Sequence, residues 1–336
     1  MDLKDFDSFT NSWWPIGIST VISIIAAIRF YMAGPKCPSE NRIDDCVVLI
    51  TGASSGLGLA TSKELAARGA KIILTCRNKE KGEKAVEAVL QTLPTAQIDL
   101  RLLDVSSLMN IRDFVNNLKK DYPKIDVLIN NAGIIFEQYQ KTKENLELTF
   151  VTNYLGPFLL THLLLPLLSK SDNGRIINIT SLAHYRANID INNFDFSKKF
   201  MYREVYGQTK LALVMFTKHL ASLLKGKGIT VNAVSPGIVR DTKHFRSSPL
   251  GSSWMTKMSV YPWTWLFLKT PKQGSQTVVY AAIEPSLDTV TGSYFSDCEI
   301  KEPSEIVNDA ALLEKLYERS IELCNLSDDL NLQLSD

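Results

Sequence analysis

Apolar residues occur along this chain of 336 residues in two alternating registers. Short continuous bursts read "VVLI" from residue 47, "KIILT" from 71, "IDLRLL" from 98, "IDVLIN" from 125, "RIINIT" from 175, "ITVNAV" from 229 and "GSYF" from 292. Between them lie segments such as "LGLATSKELAARGA", "SLMNIRDFVNNLKKDY" and "KLALVMFTKHLASLL", whose apolar positions recur at helical spacing. Strands that are apolar throughout belong in a parallel sheet covered by helices on both faces. The pattern therefore predicts an α/β fold, a doubly wound parallel sheet in a single domain over residues 46–300. A helical tail follows at 301–336, its periodic part running from about Ile306 to Leu323. No internal repeat or low-complexity stretch interrupts this order.

The N-terminus follows another rule. From Ser8 to Ile28 no residue is charged, and "WWPIGISTVISIIAAI" is apolar with small polar interruptions. As a helix this stretch reaches about 31 Å, close to the ~30 Å hydrocarbon thickness of a bilayer. Trp13 and Trp14 at one end, and Arg29, Phe30 and Tyr31 at the other, suit interfacial anchors. A cleaved signal peptide would begin with a basic region, whereas Asp2, Asp5 and Asp7 outnumber Lys4 here. Residues 1–30 are thus expected to be a retained transmembrane helix, with a cleaved signal or a buried helix as alternatives. Arg29, Lys36 and Arg42 against Lys4 place the bulk of the chain on the cytoplasmic side. Residues 31–45, within "YMAGPKCPSENRIDD", read as a short polar linker.

Composition narrows the partners. Hydrophobic residues make up 45% of the chain and the formal net charge is +1, which offers no electrostatic case for nucleic acid. Cys37, Cys46, Cys76, Cys298 and Cys324 are scattered and never form a CxxC pair, so reduced thiols are expected rather than a disulfide framework or zinc site. His162, His184, His219 and His244 lack ligand spacing, and no metal is expected.

Candidate chemistry begins at "TGASSGLG", residues 51–58, between the first strand and the first helix of the domain. A dinucleotide pyrophosphate binds at such a place, against backbone N–H groups and a helix dipole. Gly52 would make the turn, Gly56 would admit the phosphates and Gly58 would allow close packing. The spacing is GxxxGxG rather than the generic GxGxxG, and a purely structural turn is the alternative. At the end of the second strand "ILTCRN" carries Arg77 and no carboxylate. A guanidinium there suits a 2′-phosphate, favouring NADP(H) over NAD; otherwise Arg77 is a solvated loop charge. Far downstream, "YGQTK" sets Tyr206 and Lys210 on one helical face, where an ammonium favours phenolate and creates an acid/base. That pair alone is common on solvated helices.

Taken in order, "TGASSGLG", "NNAG" at 130–133, "NYLGPF" from 153, "INITS" from 177, "YGQTK" from 206 and "SPG" from 235 resemble the short-chain dehydrogenase/reductase family over residues 46–240. The resemblance implies a Rossmann sheet, an NADP(H) cofactor and catalytic roles for Asn153, Ser181, Tyr206 and Lys210. Tyr206 would be the general acid/base and Ser181 would polarise the substrate oxygen. Ser181 is preferred to Thr180 because the second member of such a pair usually serves. Lys210 would hold the nicotinamide ribose and tune Tyr206, while Asn153 would support a proton-relay water. The implied cofactor-binding set is Thr51, Gly52, Ser54, Ser55, Gly56, Leu57, Gly58, Arg77, Asp104, Asn131, Ala132, Gly133, Pro236 and Gly237, with Tyr206 and Lys210. Asp104 and Asn131 match positions that contact or frame the adenosine half.

Within that family, the N-terminal segment with "ITSLAHY" and "FLKTPKQGSQTVVYAA" is similar to the membrane-bound retinol dehydrogenase branch, and to neighbouring steroid and polyprenoid reductases. This implies an endoplasmic reticulum enzyme that reduces a lipophilic aldehyde or ketone with NADPH, retinal first. Trp254, Met255, Met258, Tyr261, Trp263, Trp265 and Phe267 could line a lipid-sized slot, touch the bilayer, or simply pack as core. Two other readings stay open, a catalytically idle NADP-binding scaffold and a secreted reductase. The tail could pair two copies as a homodimer, cover the substrate entrance, or do neither.

Overall fold

The computed structural model describes residues 13–197, 200–240 and 262–326. Of the candidate aromatic segment, Trp254, Met255, Met258 and Tyr261 lie outside the described residues, as does His244. The strands are β1 (Val47–Ile50), β2 (Lys71–Cys76), β3 (Ile98–Leu102), β4 (Val127–Asn130), β5 (Gly174–Ile179), β6 (Ile229–Ser235), β7 (Tyr294–Ser296) and β8 (Glu299–Lys301). They form one sheet in the order β3-β2-β1-β4-β5-β6-β7-β8. Pairing is parallel from β3 through β7, with Leu49 opposite Ile73 on one side and Leu128 on the other. This is the doubly wound sheet expected from the apolar bursts.

One edge differs from the expectation. The apolar burst "GSYF" supplies only the start of β7, and β8 returns antiparallel to it, Phe295 facing Ile300. Asp297 and Cys298 make the intervening turn with φ of 54° and 59°. Two left-handed residues in succession are the geometry of a type I′ hairpin, usually signalled by glycine or asparagine. "SDCE" offers only Asp297, without the glycine that usually follows it, so β8 was not read from the pattern.

Helices cover both faces, as continuous apolar strands require. One face carries α2 (Gly56–Ala66), α3 (Lys79–Leu90) and, later in the chain, α7 (Pro271–Ile283). The other carries α4 (Leu108–Asp121), α5 (Leu148–Leu168), α6 (Tyr202–Leu223) and the tail helix α8 (Ala310–Cys324). Caps start these helices: Ser107 Oγ accepts from Asn110 N, and Thr270 and Gln273 form a reciprocal capping box on α7. Helix α8 buries Leu313, Leu316 and Cys324 against its own chain. Tyr154 and Ser320 hydroxyls share a 2.8 Å hydrogen bond beneath it.

The N-terminal helix α1 spans Trp14–Ala33, three residues beyond the expected boundary, and buries none of them. Gly34, at φ +70°, ends it. Only α1 and Leu148–Leu168 are long and apolar enough to cross a membrane among the described residues, and the latter is core. Within residues 31–45, expected to be a linker, Cys37 and Asn41 are tied to α7 and Ile43 and Asp45 to the turn before β2. Cys37 N donates to Gln276 Oε1 at 3.0 Å, and Asn41 Nδ2 donates to Ile283 O at 3.0 Å.

Candidate active site

The site sits beyond the carboxyl ends of β1, β4, β5 and β6, where the strand order reverses between β1 and β4. Its first wall is the glycine turn. Gly52 has φ +64°, and a Cβ there would stand 2.9 Å from Ala132 Cα. A Cβ on Gly58 would meet Asn131 Nδ2 at 2.5 Å and Gly52 O at 2.8 Å, so this glycine packs against the turn itself. Gly56 has φ +57° and open space before it, which leaves the N-terminus of α2 accessible.

Several candidate residues turn out to frame this wall. Thr51 is buried, and its hydroxyl accepts from Asn131 N and Ala132 N, each at 2.9 Å. Asn131 Nδ2 donates to Thr51 O at 2.7 Å, so its amide holds the glycine turn. The Leu57 side chain enters the core, leaving its backbone at the first turn of α2. Asp104 Oδ1 accepts from Ser106 N at 3.0 Å and Ser106 Oγ at 2.6 Å, fixing the turn after β3. Arg77 is exposed at the end of β2. Pro236 and Gly237 follow β6, where Gly237 adopts φ +73°. Open backbone at Ser54, Ser55 and Gly56, a dipole behind it and a guanidinium nearby fit a phosphate-bearing dinucleotide.

The reacting side is assembled from β5, α5 and α6. Ser181 caps the short turn Leu182–Arg186, its Oγ accepting from Ala183 N at 3.3 Å. The Tyr206 phenol hydrogen-bonds the Ser181 side chain. Thr180 Oγ1 instead donates to Lys210 O at 3.1 Å and serves the backbone. Lys210 is buried; its Nζ donates to Ile179 O at 2.8 Å and stands 5.8 Å from the Tyr206 ring centroid. Asn153 is buried inside a π-helical turn, Val151–Leu155, that widens α5. Such turns often mark functional sites. Its amide pairs both ways with Ile134, at 2.8 Å each, and donates to Thr209 Oγ1 at 3.2 Å. A Cβ on Gly133 would lie 3.4 Å from Asn153 Oδ1 and 3.6 Å from Lys210 Nζ, so "NNAG" joins the two walls.

Electrostatics departs from the expectation in one respect. Burial raises the Tyr206 phenol above its usual range, and the Ser181 bond only opposes that rise. Burial thus outweighs the lowering expected from Lys210, whose ammonium donates to Ile179 O and is itself lowered to about 8 by burial. The pair therefore rests as phenol beside an easily deprotonated amine.

Two supporting residues were missed by pattern reading. His184 Nδ1 lies 2.7 Å from Ser181 O and its Nε2 accepts from Ser304 N at 3.4 Å. A carbonyl only accepts, so the neutral Nδ1–H tautomer is required, and burial lowers its pKa accordingly. Thr209 donates to Tyr206 O at 2.7 Å while receiving Asn153. The signal for both lies inside the quoted motifs, three residues after Ser181 and one before Lys210.

Fold and site together define a dinucleotide-binding oxidoreductase. The family model described as short chain dehydrogenase matches residues 46–251, and the chain belongs to that family. It is therefore an oxidoreductase of alcohol and carbonyl groups that uses a nicotinamide cofactor. It is 37% identical over 311 residues to Retinol dehydrogenase 13 of Mus musculus, covering 92% of this chain and 93% of that protein. Retinol dehydrogenase 11 of Homo sapiens is 35% identical over 322 residues, with 92% and 98% covered. Among solved structures, an uncharacterized protein from Mycobacterium Paratuberculosis superposes with a TM-score of 0.69 at 29% identity, covering 87% of this chain and 98% of that one.

Proposed function

We propose that this protein is a membrane-anchored, NADPH-dependent reductase of a lipophilic aldehyde, retinal before any steroid or polyprenoid carbonyl. Its place is the endoplasmic reticulum membrane, with the sheet domain facing the cytosol. The observation that carries the reading is the hydrogen-bonded Ser181–Tyr206 pair, with Lys210 beside Gly133 in the segment that braces the glycine turn. Arg77 supports NADP over NAD, since β2 ends without a carboxylate to take the ribose hydroxyls. The names of the relatives support the substrate. Cytosolic NADPH is kept largely reduced, which supports the direction.

A bound nicotinamide dinucleotide supplies the hydride. Ser54, Ser55, Gly56 and the first turn of α2 would hold its phosphates, and Lys210 its ribose. Ser181 and Tyr206 meet the substrate oxygen with two O–H donors, where negative charge grows, so they favour the transition state over the ground state. Burial keeps Tyr206 protonated and hence able to donate in the reductive direction. Lys210 then lies near enough to stabilise the phenolate left behind. Asn153 holds Ile134 and Thr209 around that ammonium, and a water relay for the returning proton belongs there.

The test is turnover of retinal, a polyprenal and a steroid ketone with NADPH and with NADH, by wild type and Tyr206→Phe. Wild type should turn over retinal best and prefer NADPH. Tyr206→Phe should bind NADPH normally and lose about 10²–10⁴-fold in kcat, the range for removing a general acid. Binding without turnover in both forms would establish the scaffold reading instead. Preference for NADH would remove the role given to Arg77.

A further inference from the structure

Arg29 lies in the last turns of α1, yet its side chain belongs to the body of the protein. Nη1 donates to Leu268 O at 3.0 Å and Nη2 donates to Gln273 Oε1 at 2.7 Å. Its guanidinium also lies 5.8 Å from the centroid of the Trp265 ring, within cation–π range. Gln273 completes the capping box begun by Thr270 at the N-terminus of α7, so the bond ties α1 to the start of a buried helix. Immediately before it, residues 262–267 form a helical turn. Trp263 and Phe267 share one side of that turn, stacked 6.0 Å apart and nearly coplanar at 4°. Both face outward, 64% and 38% exposed.

We propose that this aromatic turn is a second membrane contact, seated in the interfacial layer of a phospholipid bilayer and held at that depth by Arg29. The proposal rests on α1 being a membrane span. A helix of 20 residues extends about 30 Å, the thickness of the hydrocarbon core. With Trp13 and Trp14 at one headgroup layer, Phe30 and Tyr31 stand at the other, 85% and 83% exposed. Whatever Arg29 grips must lie at that same level. The occupant is thus given by depth: Phe30, Tyr31, Trp263 and Phe267 make an aromatic collar where aromatic side chains of membrane proteins concentrate.

The contact reaches the site through the backbone. Lys269 N donates to Ile238 O at 2.9 Å, and Arg240 N donates to Lys269 O at 2.9 Å. The segment just past Gly237 is therefore stitched, through an isolated bridge between Val239 and Lys269, to the residues that follow the aromatic turn. Arg29 acts as a positioning residue, fixing this side of the site at the bilayer surface where a lipophilic substrate is dissolved.

Full-length protein in phosphatidylcholine vesicles, with or without brominated acyl chains, tests this. The fluorescence lost on Trp263→Phe isolates the Trp263 emission, and brominated lipid should quench that component at least about twofold. Arg29→Met should stay in carbonate-washed vesicles and bind NADPH normally, but lose most of the Trp263 quenching. Its KM for retinal in vesicles should rise about threefold to tenfold while its kcat for a water-soluble aldehyde is unchanged. Unquenched Trp263 in carbonate-resistant wild type overturns the second contact and leaves the anchor standing, and points to a covering second copy if exposure falls with protein concentration. Wild type extracted by carbonate defeats the anchor reading and this one together. Wild-type quenching and KM in Arg29→Met would remove Arg29 from its role.

Discussion

Lys210 illustrates how a residue can serve chemistry at the expense of stability. Its ammonium is buried with Ile179 O as acceptor, and burial lowers its pKa from 10.5 to about 8. Below pH 8 both folded and unfolded chains hold the proton, so the folded state bears the full cost of the buried charge. That cost is about 3 kcal/mol at 1.36 kcal/mol per pKa unit. Between 8 and 10.5 the unfolded chain binds more protons, so this contribution shifts toward stability as pH rises. Lys210→Met should therefore melt several degrees above wild type at pH 7 without cofactor. The gap should close progressively toward pH 10.5, while turnover collapses. Melting curves across that pH range check it, and a gap that does not depend on pH would show that the charge is not what destabilises. At this scale the motifs were legible because Tyr206 and Lys210 are local in sequence, as are Gly52, Gly56 and Gly58. Arg29 was not, since its partners lie more than two hundred residues away, and of the contacts of His184 only the local one to Ser181 was within reach, its partner Ser304 lying 120 residues on. Thr51 and Asn131 were readable as members of the glycine wall, but not as its frame, because that depends on which way a hydroxyl and an amide are spent.

Among the elements, the tail helix α8 shows where periodicity stops being informative. Its apolar stripe marks a helix but leaves its partner undetermined; the structure seats it on α5 and α6. The seat is partly polar. Tyr317 OH donates to His162 Nε2 at 2.8 Å, while His162 Nδ1–H donates to Phe158 O at 2.7 Å. Burial lowers His162 to about 4, so the ring stays neutral and can accept at physiological pH. Tyr317→Phe leaves that nitrogen buried without its donor, at a cost of about 1–3 kcal/mol. Thermal unfolding should fall accordingly, with kcat and KM near wild type because Tyr317 touches none of the reacting groups. A matching loss of activity would instead tie the tail to the site. Arg112 Nη2, donating to Cys324 O at 2.8 Å and Asn325 O at 2.9 Å, closes the far end of α8 from α4. Hairpin β7–β8 is the complementary case, an element formed by a turn whose only signal is Asp297, with Cys298 where glycine is usual.

For the molecule as a whole, the decisive contrast is between two apolar helices that hydropathy alone cannot tell apart. Helix α1 and Leu148–Leu168 both meet the length and composition of a span, with mean hydropathies of 1.8 and 1.4. Burial separates them. Helix α1 has no buried residue, whereas Leu148–Leu168 is buried almost throughout beneath α4, α6 and α8 and carries Asn153 into the site. Moving the second into lipid would strip the sheet of one face and expose Asn153 and Thr152 to hydrocarbon, a cost of several kcal/mol for each unpaired polar group. One crossing is therefore expected, not two. In the sequence Arg29, Lys36 and Arg42 follow that segment and only Lys4 precedes it, and the proposed cytosolic orientation of the sheet rests on this bias. Protease added to sealed microsomes should then digest everything after about residue 34 and spare an N-terminal epitope tag. Detergent should expose the tag as well. Protection of the sheet domain in intact vesicles would invert the orientation, and protection of a fragment around 148–168 would mean that the core helix had been misread as soluble.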